Sequence, residues 1–336
     1  MKVLLVGNYE ADAQRSMQRF CAMLERGLAE EGHDVEVIWP APVLGRFWRN
    51  GRVAGSKWIG YADKYLLFRF ALRRAVRERP GWVVHILDQG NGIWAGWLGS
   101  NCVVTCHDLL AIRAARGEFP GQRTGWTGRI FQRLILRGLR KGARIVCVSE
   151  ATRRDAERLI GPCEVIPNGL EEKWQPGEFP DGGHILHVGG DPWYKNRAAV
   201  NEVVEELRAK YAVSLVSVGP GENVTDDALR ELYATARLLL FPSLEEGFGW
   251  PIIEAQACGC PVVTTRKAPM TETGGDAAIY CEPGGWARGA AAVLEMDEAQ
   301  RRELVAAGIE NARRFSVKKM AQAYAAFYKK TWESCT

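Results

Sequence analysis

The stretch FPSLEEGFGWPIIEAQACGCP, Phe241–Pro261, carries three structural signals in succession. An apolar strand ends at Phe241, and a polar loop holds Ser243, Glu245 and Glu246. Gly247-Phe248-Gly249 then leads into a helix with Pro251 in its first turn, where proline's missing N–H costs nothing, and Gly259 closes that helix. Strand, glycine turn and helix make one βα unit. Glycines ahead of a helix N-terminus let backbone N–H groups approach an anion, and the helix dipole adds positive potential there. A diphosphate or sugar hydroxyls suit this place. Glu246 in the loop and Glu254 in the helix are apt acceptors for paired hydroxyls, about 10 Å apart along the axis at helical rise.

The same alternation runs outward in both directions. Upstream come Ile185–Val188, a helical stretch from about Arg197 to Lys210, Val213–Val218, a helix over Asp226–Thr235 and the strand Leu238–Phe241. Nearer the start are the apolar runs Val3–Val6, Val35–Ile38, Val83–Leu87, Cys102–Thr105 and Ile145–Val148. Met17, Phe20, Cys21, Met23, Leu24 and Leu28 form a helical stripe between the first two, and Ser149 stands where it can cap the next helix. Such patterning predicts an α/β protein with two doubly wound, Rossmann-like domains. The boundaries are an N-terminal, acceptor-side domain over 1–167, a Gly-, Pro- and acid-rich linker over 168–183 and a donor-binding domain over 184–315. A C-terminal helix within 316–336 is expected to pack back on the N-terminal domain. Ligands of open α/β sheets bind at the carboxyl ends of strands, so the two domains are expected to face each other across a cleft.

With 336 residues, 47% hydrophobic and 25% charged, the chain has a globular composition. Met1–Gly7 reads as a first strand rather than a secretory segment, and no apolar run reaches membrane-spanning length. The nine cysteines are scattered, with no CxxC pair, and read as reduced core thiols of a cytoplasmic protein. Charge is uneven: residues 1–165 hold 26 Lys+Arg against 16 Asp+Glu, whereas 166–336 hold 18 against 24. A basic N-terminal half suits an acidic partner. Two stretches concentrate that charge. Arg46–Trp58 interleaves Phe47, Trp48 and Trp58 with Arg46, Arg49, Arg52 and Lys57, and Arg113–Arg144 has nine Lys/Arg and the single acid Glu118. Basic-aromatic surface of this kind predicts peripheral contact with anionic lipid at the inner face of a membrane. No nucleic acid is expected, because no stacking module or groove-reading motif is present.

The pattern Glu246-x7-Glu254, inside EEGFGWPIIEAQACGCPV (245–262), resembles the donor-site motif of family 4 (GT4) retaining glycosyltransferases of the GT-B fold. The resemblance extends over most of the chain, through VCVSEAT (146–152), VIPNGL (165–170), the Lys195 region in HVGGDPWYKN and APMTETGGDAAIY (268–280). It implies that Glu246 contacts the transferred sugar, that Glu254 holds the ribose, and that backbone amides of Gly247, Phe248 and Gly249 hold sugar and phosphate oxygens. Lys195 is placed to neutralise a leaving diphosphate. Members of the family usually carry an arginine a few residues before that lysine; here Gly190 stands near its position. DDALRELY (226–233) resembles the segment bordering the base pocket, although the stretch between Val218 and Asp226 is short.

In the N-terminal half, the resemblance puts His107, at the end of Cys102–Thr105, beside the reacting sugar, with Asp108 next to it. Gly7 begins the loop that in many relatives approaches the diphosphate. Arg15, Ser16 and Arg19 in that loop, and Asp88 and Asn91 after another strand, are candidates for the acceptor side. His107, Lys195 and Glu246 are thus the expected catalytic set.

No D-x-D motif or clustered metal-ligand spacing occurs, so no metal and no cofactor is expected. The resulting expectation is a metal-independent, retaining hexosyltransferase of polysaccharide or glycoconjugate biosynthesis. It would use a nucleotide-diphosphate sugar, UDP- favoured over GDP-, and transfer to a hydroxyl of a glycan, glycolipid or small molecule. A non-catalytic nucleotide-sugar-binding subunit and a GT-B-fold sugar epimerase remain alternatives. A Rossmann dehydrogenase is disfavoured, because neither half has G-x-G-x-x-G at its first βα turn.

Overall fold

The structure is a computed structural model, and it describes residues 1–12, 14–44, 60–98, 102–177, 183–219 and 224–333. The chain divides into two compact units, one of Met1–Val148, Thr152–Pro167 and Val317–Thr336, the other of Ser149–Ala151 and Asn168–Ser316.

The first unit is built on β1 (Lys2–Val6), β2 (Asp34–Ile38), β3 (Val83–Ile86), β4 (Cys102–Cys106), β5 (Arg144–Cys147) and β6 (Cys163–Val165). These form a parallel sheet in the order β2-β1-β3-β4-β5-β6. Its helices are α1 (Arg15–Glu30), α2 (Phe68–Arg77, entered through a π-helical turn over Ala62–Leu67), α3 (Leu110–Ala115), α4 (Trp126–Leu139) and α5 (Glu150–Leu159). Central strands β3 and β4 are fully buried and, but for His85 and Thr105, apolar, as a sheet covered on both faces requires. Side chains such as Phe68, Leu72, Trp94, Ile135 and Leu139 pack on them from the helices.

The second unit has β7 (His184–Val188), β8 (Ser214–Val218), β9 (Leu238–Phe241), β10 (Val262–Thr265) and β11 (Ile279–Cys281), also all parallel, in the order β11-β10-β9-β7-β8. Around it lie α6 (Arg197–Arg208), α7 (Asp226–Thr235), α8 (Trp250–Ala257), α9 (Met270–Gly274), α10 (Trp286–Leu294) and α11 (Glu298–Ala312). Asp297 and Gln300 cap α11 reciprocally, a capping box that fixes where it starts.

One boundary differs from the sequence reading, that of the linker. Residues 168–177, taken there as linker, fold with the second unit, and Trp174 is buried edge-on against Tyr233. The last helix, α12 (Val317–Glu333), belongs to the first unit, into which it sends Tyr324 and Tyr328. Their hydroxyls meet a buried pair from β3 and β4: His85 Nδ1 lies 2.6 Å from Tyr328 OH, His85 Nε2 2.7 Å from Thr105 Oγ1, and Thr105 Oγ1 2.8 Å from Tyr324 OH. Burial lowers the His85 pKa to about 3, so this imidazole is neutral. The eight cysteines among the described residues are free thiols, all buried except the half-buried Cys163.

Candidate functional site

Each sheet has one place where the strand order reverses direction, between β1 and β3 in the first unit and between β7 and β9 in the second. Loops leaving the carboxyl ends of such neighbours run to opposite faces and open a crevice between them. The sequence-selected residues gather at these two places.

In the second unit, the loops after β7 and β9 are stitched together. Leu244 N donates to Tyr194 O at 2.7 Å, and Asn196 Nδ2 donates to Pro242 O at 3.2 Å. Asn196 holds a left-handed backbone (φ 55°), a conformation asparagine tolerates, and so starts α6 directly after Lys195. This stitching sets the Lys195 ammonium 2.6 Å from Glu246 Oε1. The lysine side chain is 18% exposed and the glutamate 10%, so the pair is mostly out of water yet reachable. Lys195 Nζ also lies 5.2 Å from the centre of the Phe241 ring.

A second lysine serves the neighbouring carboxylate: Lys267 Nζ donates to Glu245 Oε1 at 2.5 Å and to Leu244 O at 3.0 Å. Next along the chain, Gly249 takes φ +99° as it enters α8, a backbone that residues with a Cβ rarely adopt. Phe248 turns its ring inward, edge-on to Phe315, leaving only its backbone for a ligand. Gly247 contributes its carbonyl to the Ser149 hydroxyl at 2.7 Å. Ser149 directly precedes α5, and the first amides of that helix, Glu150 N and Ala151 N, donate to the Glu272 carboxylate at 2.7 and 2.9 Å.

Glu254, the expected ribose acceptor, is 3% exposed, and its Oε2 accepts from Tyr233 OH at 3.0 Å. Burial, then the neighbouring Glu254 charge, raises the Tyr233 pKa well above its usual value, so the phenol stays a donor. Gly190 is buried after β7, and the nearby cation Arg197 is paired with Asp191 at 2.6 Å. His187, on β7, lies wholly buried; its Nδ1–H donates to Leu240 O at 3.0 Å, while Nε2 has no partner among the described residues. Burial holds this histidine's pKa below normal.

The first unit's switch point is a network of uncharged donors around one carboxylate. Asp88 follows β3 and caps the 3-10 turns of Gln89–Trp97, its Oδ1 accepting from Gly90 N at 2.7 Å. Its Oδ2 accepts from Asn8 Nδ2 at 2.5 Å. Asn8 also donates to Gln14 and accepts from Asn91 Nδ2 at 3.0 Å. His107 completes the cluster. Its Nε2 lies 2.9 Å from Leu87 O, an atom that only accepts, so the proton sits on Nε2 and Nδ1 is the acceptor nitrogen. Burial lowers this histidine's pKa, against the opposing pull of Asp88 and the carbonyl. His107 N donates to Gln89 Oε1 at 2.8 Å, and Phe20 packs edge-on against its ring at 4.8 Å. Asp108 is turned to the backbone, its Oδ1 accepting from Leu110 N at 2.9 Å at the start of α3.

Lys195, Glu246, Gly247, Phe248 and Gly249 therefore share one loop cluster, with Glu254 along α8. Asp88, Asn91 and His107 share another. Gly7 has a packing reason: a Cβ there would lie 2.2 Å from the Trp39 ring. Arg15 and Ser16 stand exposed in the first turn of α1, with Arg19 half-buried a turn later. Asn8, His187, Tyr233 and Lys267 escaped the sequence reading. The position of Asn8 directly after β1 was the one available signal. The basic-aromatic stretch Arg46–Trp58 and residues 220–223 of the short base segment lie outside the described residues. Among the described residues no group of three or more His, Cys, Asp or Glu is placed to hold a metal ion, and no helix is long and apolar enough to cross a membrane.

Known proteins resemble this chain in both sequence and fold. Residues 17–174 match the model of Glycosyltransferase Family 4, and residues 182–298 match that of Glycosyl transferases group 1. The chain is 36% identical over 115 residues to the O-antigen chain mannosyltransferase B of Escherichia coli, covering 34% of this chain and 26% of that one. It is 30% identical over 212 residues to the MMP alpha-(1->4)-mannosyltransferase of Mycolicibacterium hassiacum, covering 53% and 51% respectively. The chain thus spans from about a quarter to about half the length of these curated relatives. In fold, it superposes on the crystal structure of Anabaena HepE in complex with UDP and glucose with a TM-score of 0.66, at 14% identity, over 98% of this chain and 99% of that one. The two family models, the relatives and the two parallel sheets converge: the chain belongs to the family 4 glycosyltransferases of the GT-B fold.

Proposed function

We propose that this protein is a metal-independent, retaining hexosyltransferase that takes its sugar from a nucleotide-diphosphate donor, UDP-linked in preference to GDP-linked. The acceptor is a hydroxyl of a glycan, glycolipid or small molecule in glycoconjugate synthesis, and the protein works in the cytoplasm. The observation that carries this reading is the Lys195–Glu246 pair, at 2.6 Å, beside the glycine turn that opens α8. A cation and a carboxylate in mutual contact are a ready site for a ligand that is anionic at one end and rich in hydroxyls at the other. The diphosphate draws the ammonium off Glu246, and the released carboxylate accepts from a hexose hydroxyl. Glu254, steadied by Tyr233, accepts from the ribose. Relatives named as mannosyltransferases and the UDP and glucose held by HepE support this donor class.

In the transfer, the bond between the anomeric carbon and the leaving phosphate oxygen breaks while the acceptor oxygen bonds to the same face of that carbon. The acceptor's proton passes to the departing phosphate. Lys195 and the backbone amides at 247–249 stabilise the charge that develops there. His107, neutral with Nδ1 as acceptor, is suited to receive a hydrogen bond from a sugar hydroxyl. The test is a thermal-shift screen with UDP, GDP and their sugars, followed by NMR of the product anomer with and without EDTA. A shift with a UDP-sugar, abolished in Lys195→Ala and Glu254→Ala, with retained configuration and EDTA-resistant turnover, is expected. Saturable binding without turnover, or inversion, overturns the proposal.

A further inference from the structure

We infer that the exposed face of α4 docks flat on an anionic lipid bilayer. This helix, Trp126–Leu139, buries Ile135, Leu136, Gly138 and Leu139 on one side. Its opposite side presents Trp126, Ile130 and Leu134, spaced four apart and therefore in one row, and they are 75%, 47% and 44% exposed. A row of large apolar side chains on the outside of a helix is costly in water and unneeded for the core that the other face already fills. Arg129, Arg133 and Arg137 are interleaved on that same exposed arc, and no acidic residue occurs anywhere in the helix. No ion pair engages these three arginines among the described residues, although the first unit pairs many other arginines, such as Arg79 with Glu36 and Arg158 with Glu118.

Apolar anchors flanked by unneutralised cations match the boundary between acyl chains and anionic headgroups. The adjoining helix repeats the theme. It is packed to α4 by Phe131 stacking on Tyr61 at 5.3 Å and meeting Tyr65 edge-on at 5.1 Å, and it leaves Leu66 and Phe70 exposed near Arg73 and Arg77. Charge complementarity selects the occupant. A second copy of this chain would set these arginines against each other's like charge, and nucleic acid would leave the apolar row without a partner. This inference sharpens the membrane contact expected from the basic half and does not depend on the donor assignment.

The experiment is flotation of the full chain with phosphatidylcholine vesicles with and without one-third phosphatidylglycerol, at low and physiological salt. The variants are Trp126→Ser/Ile130→Ser/Leu134→Ser and Arg129→Glu/Arg133→Glu, each checked for an unchanged UDP thermal shift. Binding to the anionic vesicles alone is expected. Removal of the apolar row should weaken it by more than tenfold and charge reversal by roughly a hundredfold, since each basic residue near such a surface contributes severalfold in partitioning. Three results overturn the inference: no flotation of the wild type at low salt, equal flotation of the variants, or retention of a short RNA duplex with no lipid binding. A wild-type dimer that the triple serine variant reduces to monomer also overturns it, in favour of a second copy. Because the vesicle assay needs no sugar donor, its failure is separable from failure of the transferase reading.

Discussion

The two strand-order reversals solve the same topological problem with opposite chemistry. In the second unit, opposite charges pair, Lys195 with Glu246 and Lys267 with Glu245, the two glutamates lying on a loop that leads into a helix N-terminus. In the first, a single carboxylate, Asp88, accepts from the amides of Asn8 and Gly90, Asn91 donates in turn to Asn8, and a neutral histidine lies alongside. An ion pair can exchange a partner for a phosphate. An amide network is suited to reading hydroxyls by geometry. On the proposed function, the charged end of a sugar transfer falls to the second unit and the neutral end to the first.

Removing Lys195 should break this contrast most severely. Lys195→Ala is expected to lower kcat by about two to three orders of magnitude, the usual effect of deleting an electrostatic stabiliser of a departing oxyanion. The same loss in a Lys195→Met/Glu246→Gln variant, measured by initial rates, would show that the charge matters beyond pair stability; recovery of activity would contradict the proposed role. In the first unit, Asn8→Ala strips a partner from both Asp88 and Asn91, and should cost about 2–3 kcal/mol in urea denaturation. A cost below about 0.5 kcal/mol would mean that the network is open to water.

Acid should sharpen the comparison next. His85 is held at about 3, and His107 and His187 are also lowered, all chiefly by burial. A histidine whose folded pKa is depressed leaves the unfolded chain binding the extra proton, so stability is full above about 6.5 and falls as pH drops towards the folded value. Each contributes a slope of up to about 1.4 kcal/mol per pH unit. The first unit holds two of the three, so its transition should move further between pH 7.5 and 5.5. The smallest effect belongs to Tyr233→Phe. Losing one donor to Glu254 is expected to cost about 1 kcal/mol in UDP affinity and to narrow the preference for UDP over 2′-deoxy-UDP, measured by calorimetry. An unchanged ratio would separate Tyr233 from ribose recognition.

Much of this could be read from the sequence because it is local. The strands are apolar runs with turn residues at their ends, and the loop at 241–249 declares itself by glycines ahead of a helix. What stayed hidden is long-range. Asn8 meets Asp88 across 80 positions, and Tyr233 meets Glu254 across 21. Lys267 reaches Glu245 from a segment with no periodic signature. Composition misled at 168–177, where glycine and acidic residues suggested a free linker, because it does not reveal that Trp174 finds a buried berth on Tyr233. The short edge strands β6 and β11, three residues each, are too brief for a period to register.

One bridge closes the second unit at its neck. Leu170 pairs in parallel with Ser316, and its amide donates to Phe315 O at 3.2 Å, so the polypeptide enters and leaves the second unit at touching points. Apart from Ser149–Ala151, that unit is an insertion with a zipped neck. A segment closed on itself in this way can be excised, transplanted or given new termini with little penalty in loop closure, since the ends already meet. On the proposed function, donor preference is then exchangeable among relatives as a cassette bounded by residues 168 and 316, leaving the other sheet and its final helix unaltered.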